Sequence, residues 1–241
     1  MNSELTNIQI TEKNTTFIQG VKDCIPTIIG YVSIGIAAGI VGTSSNLSVA
    51  EVFLLALFVY AGASQFIICA LLATDTPFSV IILTTFIVNL RHFLLCMALA
   101  PHFKRYSLLQ NIGIGSLITD ESFGVAASKL ASGEKIYAKW MNGLNVTAYL
   151  CWILSCLIGA VFGKWMPNPE AYGFDFALTA MFLALLVLQL EKIQKKKIML
   201  YISLVLYVII TMLLLCLFLP TYIAIIVSTT LVAMIGVVKD R

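Results

Sequence analysis

Charge is what this sequence of 241 residues has least of: Asp, Glu, Lys and Arg make up 11% of it, against 60% apolar residues. Soluble domains carry about 25% charged residues, so the composition excludes an ordinary water-soluble domain and points to an integral membrane protein. No Gly-x-x-x-x-Gly-Lys-Ser/Thr phosphate loop is present, which excludes nucleotide hydrolysis by the chain itself, and there is no His-Glu-x-x-His metal helix. Energy for any transport then comes from an ion gradient or a partner. The six cysteines (Cys24, Cys69, Cys96, Cys151, Cys156, Cys216) lie in or beside apolar runs without Cys-x-x-Cys spacing. They read as small packing residues, with neither a disulfide frame nor a metal site, and no cofactor is expected. The first 23 residues lack the apolar core of a signal peptide and read as a cytoplasmic tail, 1–23, before a single polytopic domain, 24–241. A net charge of +3 does not imply nucleic acid, because the basic residues sit in loops where the positive-inside rule accounts for them. With no soluble catalytic domain, an enzyme is not expected.

Apolar segments fall at 24–43, 50–73, 78–100, 111–128, 140–163, 174–190, 198–218 and 220–238, most of them close to the 20 residues that span a hydrocarbon core as helix. The expected fold is all-α: a polytopic helical bundle of about eight membrane segments. Asp75-Thr76-Pro77 and Pro220 mark tight turns, since proline suits a helix start rather than its interior. Lys192, Lys195, Lys196 and Lys197, Lys239 and Arg241, and Lys129, Lys135 and Lys139 all favour a cytoplasmic C-terminus. Eight full crossings would put the N-terminus inside as well, but would also place His102, Lys104 and Arg105 outside, against the rule. The conflict vanishes if segments two and four are broken or re-entrant, leaving six crossings. Their centres suit a break: Ala61-Gly62-Ala63-Ser64-Gln65 in one, and Gly113, Gly115, Asp120, Glu121 and Gly124 in the other. Gly35-x-x-x-Gly39 and Gly159-x-x-x-Gly163 echo each other; the spacing suits an internal repeat, and it suits close helix packing better.

Ionisable groups at mid-span need a reason, because Arg or Asp at a helix centre costs about 2.5 to 3.5 kcal/mol on insertion scales. Segment three carries Thr85, Asn89, His92 and Cys96 on one helical stripe, with Arg91 about 200° from Asn89. Segment four carries Gly113, Ser116, Asp120 and Gly124 on a second stripe, with Glu121 about 100° round from Asp120. The simplest accounting pairs Arg91 with Asp120 or Glu121. One carboxylate remains to carry a proton, and His92, an imidazole that titrates near neutral pH when unperturbed, can do likewise. The alternative is that the charges only staple helices together. Ser64 and Gln65 either line a path or hydrogen-bond across a packing seam. Asp175 and Glu51 read as interfacial, Trp140 and Trp165 as belt residues, and Trp152 as central, facing cavity or lipid.

Four blocks, in order and at these spacings, resemble the AzlC family: Tyr60-Ala-Gly-Ala-Ser-Gln-Phe66, Val88-Asn-Leu-Arg-His92 followed by Ala98-Leu-Ala-Pro101, Leu117-Ile-Thr-Asp-Glu-Ser-Phe123, and Gly173-Phe-Asp-Phe-Ala-Leu-Thr-Ala-Met-Phe182. The resemblance runs from about residue 17 to 238. It implies the large subunit of a two-component exporter of branched-chain amino acids (Leu, Ile, Val) in the bacterial cytoplasmic membrane, coupled to protons, with a small AzlD-type partner of about four helices. This chain departs from the family pattern at Thr179, where proline is usual, and at Phe93-Leu94-Leu95, where Leu-Leu-Tyr is common.

The leading expectation is therefore a secondary transporter subunit: Arg91 organises the site, Asp120 or Glu121 carries the coupling proton, and Asn89, His92, Ser64 and Gln65 line the path. An amino-acid substrate offers a carboxylate for Arg91 or a half-helix N-terminus and an ammonium for an acidic group. Two other classes are kept: an intramembrane serine hydrolase using Ser64 and His92, and a passive channel or structural membrane subunit.

Overall fold

The computed structural model describes residues 16–166, 197–219 and 221–239, with isolated positions between 171 and 190. The described residues form helices and no strands, and the chain divides into two compact units, Met1–Thr179 and Ala180–Arg241. In chain order the first unit holds α1 (Phe17–Ser44), α2 (Val49–Phe58), α3 (Gly62–Ala73), α4 (Phe78–Phe103), α5 (Leu108–Gly115), α6 (Asp120–Ala131) and α7 (Ala138–Gly163). The second holds α8 (Ile198–Cys216) and α9 (Thr221–Lys239), packed as a helical hairpin. The expected sixth segment, 174–190, lies largely outside the described residues, and so do Asp175, Lys192, Lys195, Lys196 and Pro220.

Length decides which helices can cross a bilayer. α1, α4 and α7 run for 28, 26 and 26 residues, about 40 Å each at 1.5 Å per residue, against a hydrocarbon core of about 30 Å. With α8 they are apolar enough to span a membrane. α1 begins seven residues before the expected segment because its polar first turns have partners. Thr16 caps the helix through Gln19 N (3.2 Å), while Asp23 accepts from the Gln19 amide and the Trp140 indole, both at 2.8 Å, and pairs with Lys129 at 3.5 Å.

α1 and α7 form the core of the unit. Gly20 lies against the backbone of Trp140 and Leu144, Gly35 against Ser155, and Gly39 against Cys156 and Ala160; from the other side, Gly143 meets Phe17, Gly159 meets Ile36 and Gly163 meets Ile40 and Thr43. Contact positions rise together along the two helices, so they run parallel. The echoing glycine pairs are thus the two sides of one seam, where missing side chains let the backbones touch.

The expected segments two and four are both broken, and each folds back on itself. α2 starts beside the end of α1, where the Val52 side chain occupies the space over Gly42. It ends at the middle of α7, where Leu57 O accepts from the Tyr149 hydroxyl at 2.8 Å. After the break at 59–61, α3 retreats, antiparallel to α4 (Ser64 to Asn89, 2.7 Å), and reaches the start of α4 through a short turn. Hairpin one, α2–α3, therefore enters and leaves at the end of the bundle where α1 and α7 finish.

Hairpin two, α5–α6, does the same from the opposite end. α5 folds back along α4, with Cys96 Sγ donating to Gly115 O at 3.5 Å. Across the break at 116–119, α6 returns along α1, with Glu121 against Tyr31 and Lys129 against Asp23. Arg105 lies 4.4 Å over the Tyr137 ring and the Tyr106 hydroxyl accepts from Ala138 N at 3.2 Å, which brings the loops before and after the hairpin together. His102, Lys104 and Arg105 thus share one end with Lys129, Lys135 and Lys139, and the charge conflict of eight full crossings is gone.

The two halves repeat in inverted order. A long helix crosses, then a hairpin enters from the end just reached: α1 with hairpin one, α4 with hairpin two. Both hairpins open on a capping box, Ser48 with Glu51 and Ser107 with Gln110, and both second arms are 12 residues long.

Candidate functional site

The tips of the two hairpins meet the midpoints of α1, α4 and α7. Non-helical backbone at that depth must be covered by protein or water, and α7 supplies much of the cover. Asn145 donates to Ile114 O at 3.0 Å at the end of α5, and one turn on, Tyr149 donates to Leu57 O at the end of α2. Gln65 adds its amide to Val59 O (2.7 Å) and Leu55 O (3.3 Å), and its own carbonyl accepts from Cys156 at 3.8 Å.

α4 latches both tips. Ser64 donates to Asn89 Oδ1 at 2.7 Å, and Arg91 Nη2 pairs with Asp120 Oδ2 at 3.0 Å. The two attachments leave α4 about 200° apart, so the tips sit on opposite flanks of the helix. The pairing expected of Arg91 thus falls on Asp120. Glu121 goes elsewhere: its Oε2 accepts from the Tyr31 hydroxyl at 3.2 Å, and the same hydroxyl bonds to the Thr119 side chain. Thr119 and Ser122 cap the start of α6 between them. His92 lies within electrostatic reach of Arg91 and Glu121. The Ser64 hydroxyl is bonded to Asn89 and not to His92, so the structure does not bring together the dyad of the hydrolase reading.

Four aromatic residues, Tyr31, Tyr60, Tyr149 and Trp152, join the centre without a role that the sequence assigned to them. Trp152 is interior, 4% exposed, with its ring edge-on to Tyr31 at 6.0 Å, and Tyr60 packs edge-on to Tyr149 at 4.9 Å. The Tyr60 hydroxyl is buried beside that of Tyr31. The Trp152 indole nitrogen and Arg91 Nε are buried without hydrogen-bond partners, each at a cost of about 1–3 kcal/mol. The only sequence signal for Tyr31 and Tyr60 was a polar-tipped ring at mid-span or at a break, which lipid-facing tyrosines also give.

A site so built offers two carboxylates in different settings, one held by a guanidinium and one by a phenol, beside two buried donors without partners. Such a centre can bind a small zwitterion and pass protons.

Comparison with known proteins bears on what this centre belongs to. The chain is 29% identical over 187 residues to the inner membrane protein YgaZ of Escherichia coli (strain K12), covering 75% of this chain and 76% of that one. It is 27% identical over 182 residues to an uncharacterized membrane protein of Archaeoglobus fulgidus, covering 74% and 78%. It is also 26% identical over 173 residues to the branched-chain amino acid transport protein AzlC of Bacillus subtilis (strain 168), covering 71% and 66%. No solved structure matches. The AzlC protein family matches residues 26–166, which take in both hairpins, α4, α7, α1 from residue 26 onward and the polar centre between them, and the chain belongs to that family.

Proposed function

We propose that this chain is the large subunit of a secondary transporter that exports branched-chain amino acids, driven by protons and assembled with a small membrane partner. A membrane transport role is supported by the family and by the transport protein of Bacillus subtilis among the relatives. The observation that carries the reading is the meeting of two oppositely inserted hairpins at a charged centre. Discontinuous helices related by inverted topology are how many secondary transporters build a midplane site that can open to either side. Hairpin one then gates one face and hairpin two the other, with α4 as the post to which both latch.

Arg91 and Asp120 form the latch of hairpin two, and Glu121, with His92 nearby, is the second proton-accepting group. Asn89 and Ser64 line the path, and Gln65 holds the break in hairpin one. The end carrying Lys104, Arg105, Lys129, Lys135 and Lys139 is cytoplasmic by the positive-inside rule. The basic residues Lys197 and Lys239 assign the C-terminus to that side by the same rule, and the N-terminal tail is assigned there with it, in a bacterial cytoplasmic membrane.

The test is leucine efflux from cells loaded with a leucine-containing dipeptide, with and without this chain and its small partner. Faster efflux that needs both chains and collapses on adding a protonophore is the expected result. Unchanged efflux with both chains shown to be in the membrane removes branched-chain export.

A further inference from the structure

Resting on that transport reading, we propose that Tyr31 is a positioning residue that couples the two gates, because its one hydroxyl ties both hairpin tips to Glu121. The hydroxyl lies at mid-length of α1 and meets three groups. From hairpin two come the Thr119 side chain, which caps α6, and Glu121 Oε2 at 3.2 Å; from the break in hairpin one comes the Tyr60 hydroxyl. A phenol has one hydrogen to give and two lone pairs to fill. An ionised carboxylate only accepts, so Tyr31 must donate to Glu121, and its oxygen then receives the Thr119 and Tyr60 hydroxyls. Every position on the hydroxyl is filled, and the two tips are joined through one oxygen. Around Glu121 the other titratable or charged groups are Asp120 beside it, His92 and Arg91 on α4, and Tyr60. Asp120 answers Arg91 at 3.0 Å and belongs to the latch on α4, so the hydrogen-bonded path from Glu121 to hairpin one runs through Tyr31.

One proton on Glu121 upsets that arrangement. A proton on Oε2 turns the oxygen facing Tyr31 into a donor, so three donors compete for two lone pairs while the Tyr31 hydrogen loses its acceptor. That hydrogen must turn to Thr119, whose own hydroxyl has Ser122 Oγ in reach at 3.5 Å, or to Tyr60. Either way a bond to one tip is reversed or lost, and the charge-assisted bond, the strongest of the three, becomes a neutral one. The tie between the tips is complete only while Glu121 is charged. The test compares the natural protein with Tyr31→Phe, which keeps the ring edge-on to Trp152, each reconstituted with the small partner in proteoliposomes. Two rates are measured: leucine exchange, which needs no net proton movement, and leucine accumulation driven by an imposed pH gradient. Tyr31→Phe is expected to lose about tenfold more of its accumulation than of its exchange, the worth of one hydrogen bond to a charged group, and what remains is expected not to vary with pH. A side chain that only packs would slow both rates by the same factor and leave the pH profile in place, and that result overturns the proposal. Tyr60→Phe, which unties hairpin one alone, is expected to move the ratio of the two rates in the same direction, and it decides if Tyr31→Phe does not fold; an unchanged ratio there overturns the proposal as well. A natural protein that moves no leucine in either assay is a different result: it overturns the transport reading, and this inference with it.

Discussion

The two hairpins share a plan and differ in what closes their tips. In hairpin one every tip contact is neutral: amide to carbonyl at Gln65, phenol to carbonyl at Tyr149, hydroxyl to amide at Ser64 and Asn89. Ser64 and Gln65 are buried, at 0% and 3% exposure. In hairpin two the freed carbonyls are also capped, by Asn145 and Cys96, but the tip adds Asp120 and Glu121, each tied to a different long helix. Neutral contacts have the same strength at any pH, whereas a carboxylate latch weakens when the carboxylate takes a proton. On the proposed function, hairpin two at the basic end is therefore the gate that answers to protons, and hairpin one answers to substrate.

The widest break removes both hairpins at once. A Cβ on Gly159 would run into the Ile36 backbone, so Gly159→Val pries α1 from the helix that covers both tips. Almost complete loss of monodisperse protein in detergent is expected, whereas Gly30→Ala, which has open space, leaves the yield unchanged. Equal yields would remove the α1–α7 seam as the common support.

Charge at the second tip is the next test. Asp120→Asn and Glu121→Gln are each expected to abolish uphill leucine transport while leaving insertion intact, measured in proteoliposomes with an imposed pH gradient. Uphill transport at full rate in both variants, unchanged with pH, would make the two hairpins equivalent. Arg91→Ala strands Asp120 in a site only partly open to water, and a loss of about 3 kcal/mol in stability is expected, the low end for a broken ion pair. Adding Asp120→Asn to that variant restores part of the loss in a thermal melt. A double variant no more stable than Arg91→Ala alone means that the pair is not what holds α6 to α4.

Much of this contrast was legible in the sequence. Glycine and polar residues at the centres of two apolar segments announced the breaks, and the stripe geometry put Asn89 and Arg91 on opposite flanks of one helix. The basic run at 102–105 signalled that something must fold back. What local pattern could not supply was which end each arm returns to, because that depends on contacts between loops far apart in sequence, such as Arg105 with Tyr137. Nor could it separate Tyr31, Tyr60 and Trp152 from rings at a lipid interface, since an amphipathic aromatic satisfies either setting. The two capping boxes that open the hairpins were readable, and they mark the inverted repeat more directly than the glycine echo did.

Gln65→Leu tests the neutral tip by leaving Val59 O and Leu55 O without the amide that now serves them. Stability should fall by about 1–3 kcal/mol, and the pH dependence of transport should not move, since no titrating group is touched. A shifted pH profile would place Gln65 in the proton path and blur the line between the hairpins.

The smallest expected effect belongs to Ser64→Ala, and it also separates reaction classes. Its hydroxyl makes one hydrogen bond, to Asn89 Oδ1, so the variant should lose about 0.5–1.5 kcal/mol. Part of that is recovered if a water takes the vacated position on the amide. Transport should persist at a reduced rate, because α3 remains capped onto α4 through packing and only the latch loosens. A serine nucleophile behaves differently: without its oxygen no covalent intermediate forms, and activity disappears altogether. Partial retention of leucine efflux in Ser64→Ala thus keeps hairpin one as a neutral gate, while complete loss in a variant that melts within 1–2 °C of the natural protein would reassign its tip to chemistry.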